Sequence, residues 1–195
     1  IPDEELKPLV DDWRKANPRI VQFWRSVGDA ATKAVRERTT VRAGKVIFCC
    51  KDGVLFAKLP SGRMLAYIAP RLETGRFGSA VITYQSYDKT EKAADEEEKA
   101  PATRRWQREE TYGPKIVENL TQAIARDLLC AAMMNLEAAG YRICMHIHDE
   151  AVIEMPIGQG SLEEACRLMA IAPVWAEGLP LRADGEDDLS FYRKT

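Results

Sequence analysis

Histidine is almost missing from this sequence, with two among 195 residues. Both, His146 and His148, fall in one stretch, "MHIHDEAVIEMP" (145–156), where Asp149 and Glu150 follow at once. Cysteine occurs five times but never with C-x-x-C spacing. Cys49 and Cys50 are adjacent, and Cys130, Cys144 and Cys166 sit in apolar contexts, so reduced, buried thiols of the cytosol are expected. No apolar run reaches the roughly 20 residues of a membrane-spanning helix, which argues against a helical membrane protein. No basic and apolar leader is present, and Ile1 opens the chain, so it reads as cut from a longer cytoplasmic protein rather than secreted. There is no internal repeat, which argues against a solenoid.

With 46% hydrophobic and 30% charged residues, the chain can build one compact domain or part of a larger one. A net charge of -2 gives no overall attraction to polyanions, but the charge is uneven. Residues 1–50 carry ten Lys and Arg against seven Asp and Glu, whereas residues 141–195 carry five against ten. A polyanion would be held by the front and middle, and metal ions by the rear. On charge alone, an ordinary mixed surface is the simpler account.

The opening segment reads as helix with a break at Asn17-Pro18, where Asn17 can cap a second helix and Pro18 occupy its first position. Ile20, Val21, Phe23, Trp24 and Val27 then recur at helical spacing. "KVIFCCKDGVLFAKLPSGRMLAYIAP" changes to short β-rich runs broken at Asp52-Gly53 and Ser61-Gly62, which predicts consecutive hairpins, and "SAVITYQS" a further strand. "DKTEKAADEEEKAPATRR" loses apolar periodicity and is expected to be a mobile charged loop. "TYGPKIVENLTQAIARDLLCAAMMNLEAAG" predicts a long helix with Pro114 near its start and Gly140 beyond its end. Its apolar stripe would be Val117, Leu120, Ile124, Leu128 and Ala131, opposite Lys115, Glu118, Gln122 and Arg126. "YRICMHI" and "AVIEMP" predict an antiparallel hairpin with His148, Asp149 and Glu150 at its tip. A short helix, "SLEEACRLMA", and strand-like "LPLRA" and "SFYRK" complete the chain.

A carboxylate fixed at a strand end suits a divalent cation, because the backbone positions a hard oxygen while the turn leaves coordination places open. Asp149 alone is insufficient, since magnesium sites of phosphoryl transfer use one or two carboxylates plus phosphates and water. Alternatively, His146 and His148, two apart on a strand, share a face and could bind zinc with Asp149 as a hydrolase would. A solvated acidic turn with ordinary hydrogen-bonded histidines is equally compatible with these four residues.

The surroundings narrow this. "TYGPKIVENLTQAIARDLL" followed by "GYRICMHIHDEAVIEMP" resembles the carboxy-terminal palm of family A, polymerase I-like DNA polymerases, especially phage-type members. There, a glutamine-bearing helix precedes a strand-turn-strand reading His-Asp-Glu. "LPSGRMLAYIAPRL" is similar to the hairpin segment after the fingers, and "WRKANPRIVQFW" to the helix following the nucleotide-gripping one, so the likeness covers nearly the whole chain in order. The resemblance implies an α+β fold: residues 1–40 as the helical end of the fingers, 41–111 as the β-hairpin segment with its charged loop near 88–103, and 112–195 as the carboxy-terminal palm packed on long helices.

It also implies roles. Asp149 would be the metal-binding aspartate, Glu150 its acidic neighbour near the primer end, and His148 a contact to the primer terminus. Gln122 would line the minor groove of the nascent pair, reading acceptors common to correct pairs. Pro114 and Glu118 stand where relatives carry arginine and asparagine, and Lys115 would replace one of those contacts. His146 stands where a glutamine often occurs and would be a strand residue. Arg63 would contact phosphate. The family's Asp-Tyr-Ser strand and the lysine and arginine of its triphosphate-binding helix do not occur, nor does an exonuclease-like segment, and Tyr87-Asp88 lacks the apolar strand to substitute. The expected partners are primer-template DNA, deoxynucleoside triphosphates and the amino-terminal remainder of the same polymerase. Two Mg2+ ions, or Mn2+ in their place, would be the cofactors in a bacterial or phage-infected cell. The chain alone is expected to be inactive and, with palm surface uncovered, to self-associate. A non-catalytic DNA-binding remnant is the other alternative.

Overall fold

The structure, a computed structural model, describes residues 3–75, 78–87 and 106–187. The expected charged loop near 88–103 and the "SFYRK" strand lie outside the described residues. The chain forms two compact units, 1–120 and 121–195, with the division inside one helix.

The first unit begins with α1 (Asp3–Ala16) and α2 (Pro18–Glu37), separated at Asn17. Pro18 takes the first helical position, but Asn17 does not cap α2. Its side-chain amide donates 2.8 Å back to the Trp13 carbonyl, which also accepts from the Asn17 backbone N–H at 3.0 Å, so Asn17 closes the end of α1 instead. Trp13 stacks on Trp24 with ring centroids 5.7 Å apart, bracing the two helices.

Six strands follow in an antiparallel meander of simple order: β1 (Thr40–Ala43), β2 (Val46–Lys51), β3 (Val54–Lys58), β4 (Met64–Thr74), β5 (Ala80–Tyr87) and β6 (Trp106–Thr111). The β2–β3 turn has positive φ at both Asp52 (52°) and Gly53 (76°), as a type I′ hairpin requires. Pairing then sorts the side chains. Phe48 faces Ala57, and Cys50 faces Leu55, which faces Tyr67; this face packs on α2, whose Val27, Ala30, Ala31 and Ala34 are buried. β4 does not stop at Pro70, where the apolar run ends. A bulge between Ile68 and Arg71, with Ala69 at φ 47°, takes up the residue that lacks an N–H, and pairing resumes to Thr74. β1 and β6 carry little apolar pattern and go unpredicted. β6, "WQREET", is held by its partner: the Arg108 guanidinium donates to the Thr83 hydroxyl at 2.8 Å and to the Ala69 and Thr83 carbonyls at 3.0 and 2.9 Å.

α3 (Gly113–Ala138) carries the chain from the first unit into the second. Val117 and Leu120 are buried as the stripe predicts, but Ile124, Leu128 and Ala131 are only half-buried, while Ala123, Leu129, Ala132 and Leu136 are buried. From Ala123 to Ala138 twelve of the sixteen residues are apolar, so periodicity does not single out one face. The second unit adds β7 (Arg142–Ile147), β8 (Glu150–Glu154), α4 (Leu162–Met169) and a short 3-10 turn at Val174–Ala176. "LPLRA" is not a strand; among the described residues no ladder partner forms beside it. The thiols are unpaired, but Cys130 and Cys144 are exposed, contrary to the expectation of burial, because each lies on an element face that neither core covers.

Candidate functional site

The acid pair is positioned from the end of α3. Gly140, with φ 87°, closes the helix in a Schellman arrangement: the Tyr141 N–H donates 3.0 Å to the Leu136 carbonyl and the Gly140 N–H 3.0 Å to that of Glu137. Tyr141 and Leu136 then join Ala165 of α4 in one buried cluster, so the chain enters β7 along a fixed direction. Against this cluster pack Ile143 of β7 and Ala151, Ile153 and Met155 from β8 and just beyond it. The Tyr141 hydroxyl accepts from the Ser161 N–H at 3.1 Å and donates to Glu164 at 2.8 Å, while Ser161 caps α4 by accepting from the Glu164 N–H at 3.1 Å. "SLEE" is thus a Ser-x-x-Glu capping pattern into which a tyrosine hydroxyl has been inserted. Sequence reading missed this support, although Ser161 and Glu164 announce it.

β7 and β8 pair from Arg142–Glu154 to Ile147–Glu150, with a bulge between Ile143 and Met145. His148 and Asp149 form the two-residue turn between them. His148 has φ 53° and Asp149 does not have positive φ, the sign pattern of a type II′ turn, in which glycine normally takes the first position. Gly44 occupies that place in the β1–β2 turn, with φ 58°. A non-glycine residue held there stores backbone strain of about 1–2 kcal/mol. Asp149 is exposed at the apex, and Glu150 is half-buried at the first pair of β8.

The structure therefore brings together His148, Asp149 and Glu150 at one tip. Gln122 is exposed on α3 within the same unit, whereas Lys115, half-buried, and Arg63, exposed beside the Gly62 turn, belong to the other. The zinc arrangement is not supported. Strand alternation ends at Ile147 and His148 lies in the turn, so the premise that His146 and His148 share a strand face fails. Among the described residues no three His, Cys, Asp or Glu side chains gather to hold a metal ion. Of the tip residues, the solvent-facing carboxylate of Asp149 and that of Glu150 next to it could offer oxygen to a hard cation such as Mg2+. Among the described residues, no helix is long and apolar enough to cross a membrane.

No family model matches the chain, and no solved structure matches it. Among curated proteins, one named DNA polymerase from Bacillus phage SP02 is 45% identical over 183 residues, covering 93% of this chain and 26% of that protein. The chain spans about a quarter of the length of the relative it matches.

Proposed function

We propose that this chain is the carboxy-terminal part of a family A, DNA-directed DNA polymerase, comprising the end of the fingers and half of the palm. The observation that carries its polymerase part is the 45% identity, over 93% of the chain, to a phage protein named DNA polymerase, while family A and the carboxy-terminal placement rest on the resemblance of the Gln122 helix and the His-Asp-Glu hairpin. The hairpin geometry agrees with it, since a strained two-residue turn on a packed support holds Asp149 at its apex.

In this reading Asp149 holds a divalent ion, Glu150 adds negative charge beside it, and His148 contacts the primer terminus. Gln122 accepts the minor-groove edge of the new base pair, and Lys115 and Arg63 contact phosphates. Two Mg2+ ions, or Mn2+, would supply Lewis-acid stabilisation to the primer hydroxyl and the leaving pyrophosphate. The residues of this chain contribute position: the β7–β8 backbone fixes the carboxylate, and the exposed tip lets DNA approach it. Primer-template DNA and deoxynucleoside triphosphates are the substrates, in a phage-infected bacterial cell.

The test is primer extension with Mg2+ by the complete protein that contains this sequence, alongside its Asp149→Ala variant. Removing an outer partner of a metal ligand lowers activity about 10–100-fold, so losing the ligand itself should lower extension at least about a hundredfold. The 195-residue chain alone should give none. Unchanged extension by Asp149→Ala would remove the tip from the chemistry, and extension by the chain alone would show that it holds a full catalytic set.

A further inference from the structure

The six-stranded sheet has a second face, turned away from α2, which the hairpin-tip chemistry does not use. Register fixes its membership. One cross-strand row reads Arg42, Ile47, Lys58, Met64; the next reads Thr40, Cys49, Phe56, Ala66; a third reads Lys51, Val54, Ile68, Gln85. Met64 is 55% exposed and Ile68 40%, and within the first unit the helix that packs on these strands, α2, lies against the other face. Phe56, half-buried, is flanked in its row by Cys49 and Ala66, side chains too small to roof its ring.

Charge on this half of the sheet is mainly of one sign. Between residues 38 and 63 there are six Lys and Arg against a single acid, Asp52. Asp52 lies 3.9 Å from Lys51, in an exposed pair. Arg42 and Lys58, two positions apart in the first row, have no ion-pair partner among the described residues. The acids Glu73 and Glu110 sit across the sheet, on β4 beyond the bulge and on β6, where Arg108 is already engaged. The β1–β3 half is therefore an apolar platform with an aromatic at its centre and unneutralised cations beside it.

That combination selects its occupant. A second copy of this face would set like charges against one another. Duplex DNA offers phosphates but no base face to a flat sheet, whereas a single strand offers both together. We propose that the outer face of β1–β3 binds a single nucleic-acid strand, with Phe56 stacking on a base and Arg42 and Lys58 contacting adjacent phosphates. This site is separate from the hairpin tip and does not depend on the polymerase reading.

Fluorescence anisotropy of labelled dT20 against the full chain tests it, with a blunt 20-base-pair duplex as competitor. Phe56→Leu keeps an apolar side chain but loses the ring, and should weaken dT20 binding roughly tenfold, while Phe56→Tyr should retain it. Arg42→Gln with Lys58→Gln, both exposed and safe for folding, should reduce the slope of log affinity against log salt by about 1.4, as two lost phosphate contacts require. The proposal is overturned if dT20 affinity and salt slope are the same in wild type and the Arg42→Gln, Lys58→Gln protein. It also falls if duplex competes as well as unlabelled dT20, or if sedimentation shows a dimer that Phe56→Leu abolishes. Strand binding is the readout, so an absence of primer extension leaves the test intact.

Discussion

His148 holds φ at 53°, a conformation glycine adopts freely and a side-chain-bearing residue only under constraint. The constraint is the two-residue connection between β7 and β8, which must turn the chain between Ile147 and Glu150. Replacement therefore has an expected order. His148→Gly should leave stability unchanged or raise it by up to about 1 kcal/mol, because relief of left-handed strain is partly offset by the entropy of glycine in the unfolded chain. His148→Val should lower stability by about 1–2 kcal/mol, since β-branching makes this conformation worse. Denaturant midpoints of the three proteins decide it, and a valine variant as stable as wild type would show that the turn has another shape. The same residue shows what a sequence conceals. "HIHDEA" places His148 at the hairpin tip, but nothing in it marks His148 as the residue of positive φ, because the usual Asn-Gly or Asp-Gly signal is absent.

At the scale of elements, close backbone approach joins α2 to the start of α3, and half-buried polar pairs join strands of the sheet. A Cβ on Gly113 would lie 2.2 Å from the Trp24 carbonyl oxygen, and one on Gly28 3.2 Å from the Gly113 Cα. Gly113→Ala must push α2 and α3 apart, and should lower stability by about 1–3 kcal/mol, seen as a depressed melting temperature. Under the sheet, Tyr84 donates 3.0 Å to Glu109, and its ring meets that of Tyr67 edge-on at 5.1 Å. Burial, then the hydrogen bond and charge of Glu109, push the Tyr84 phenol up to about 12. A folded-state value above the unfolded one of about 10 means that the unfolded chain gives up this proton first. The contribution is thus complete below pH 10 and is lost as pH rises through 12. Ultraviolet titration should find a tyrosine ionising late, and Glu109→Gln should bring that transition to lower pH. No sequence pattern in "WQREET" announced this strand, because Glu109 and Arg108 are satisfied by Tyr84 and Thr83, 25 positions earlier.

For the whole molecule, two units with separate cores are joined through α3, and the described cysteines are all unpaired. Reductant should leave the melting temperature unchanged, and five thiols should titrate in denaturant. In the native protein Cys130 and Cys144 should react first with a maleimide, ahead of Cys49, Cys50 and Cys166, which are partly buried. Mass spectrometry after brief labelling reads the order directly. The sequence by itself determined the helix break at Pro18, the type I′ turn at Asp52-Gly53, the long helix ending before Gly140, and the clustering of His148, Asp149 and Glu150. Each is a local matter of backbone preference or short-range periodicity, complete within a few residues. Only the tertiary structure decided that β6 pairs with β5, that β4 runs past Pro70, which face of α3 is buried beyond Ala123, and that His148 takes positive φ in the turn. Those outcomes depend on partners distant in sequence, or on a turn whose strain only its flanking strands can hold.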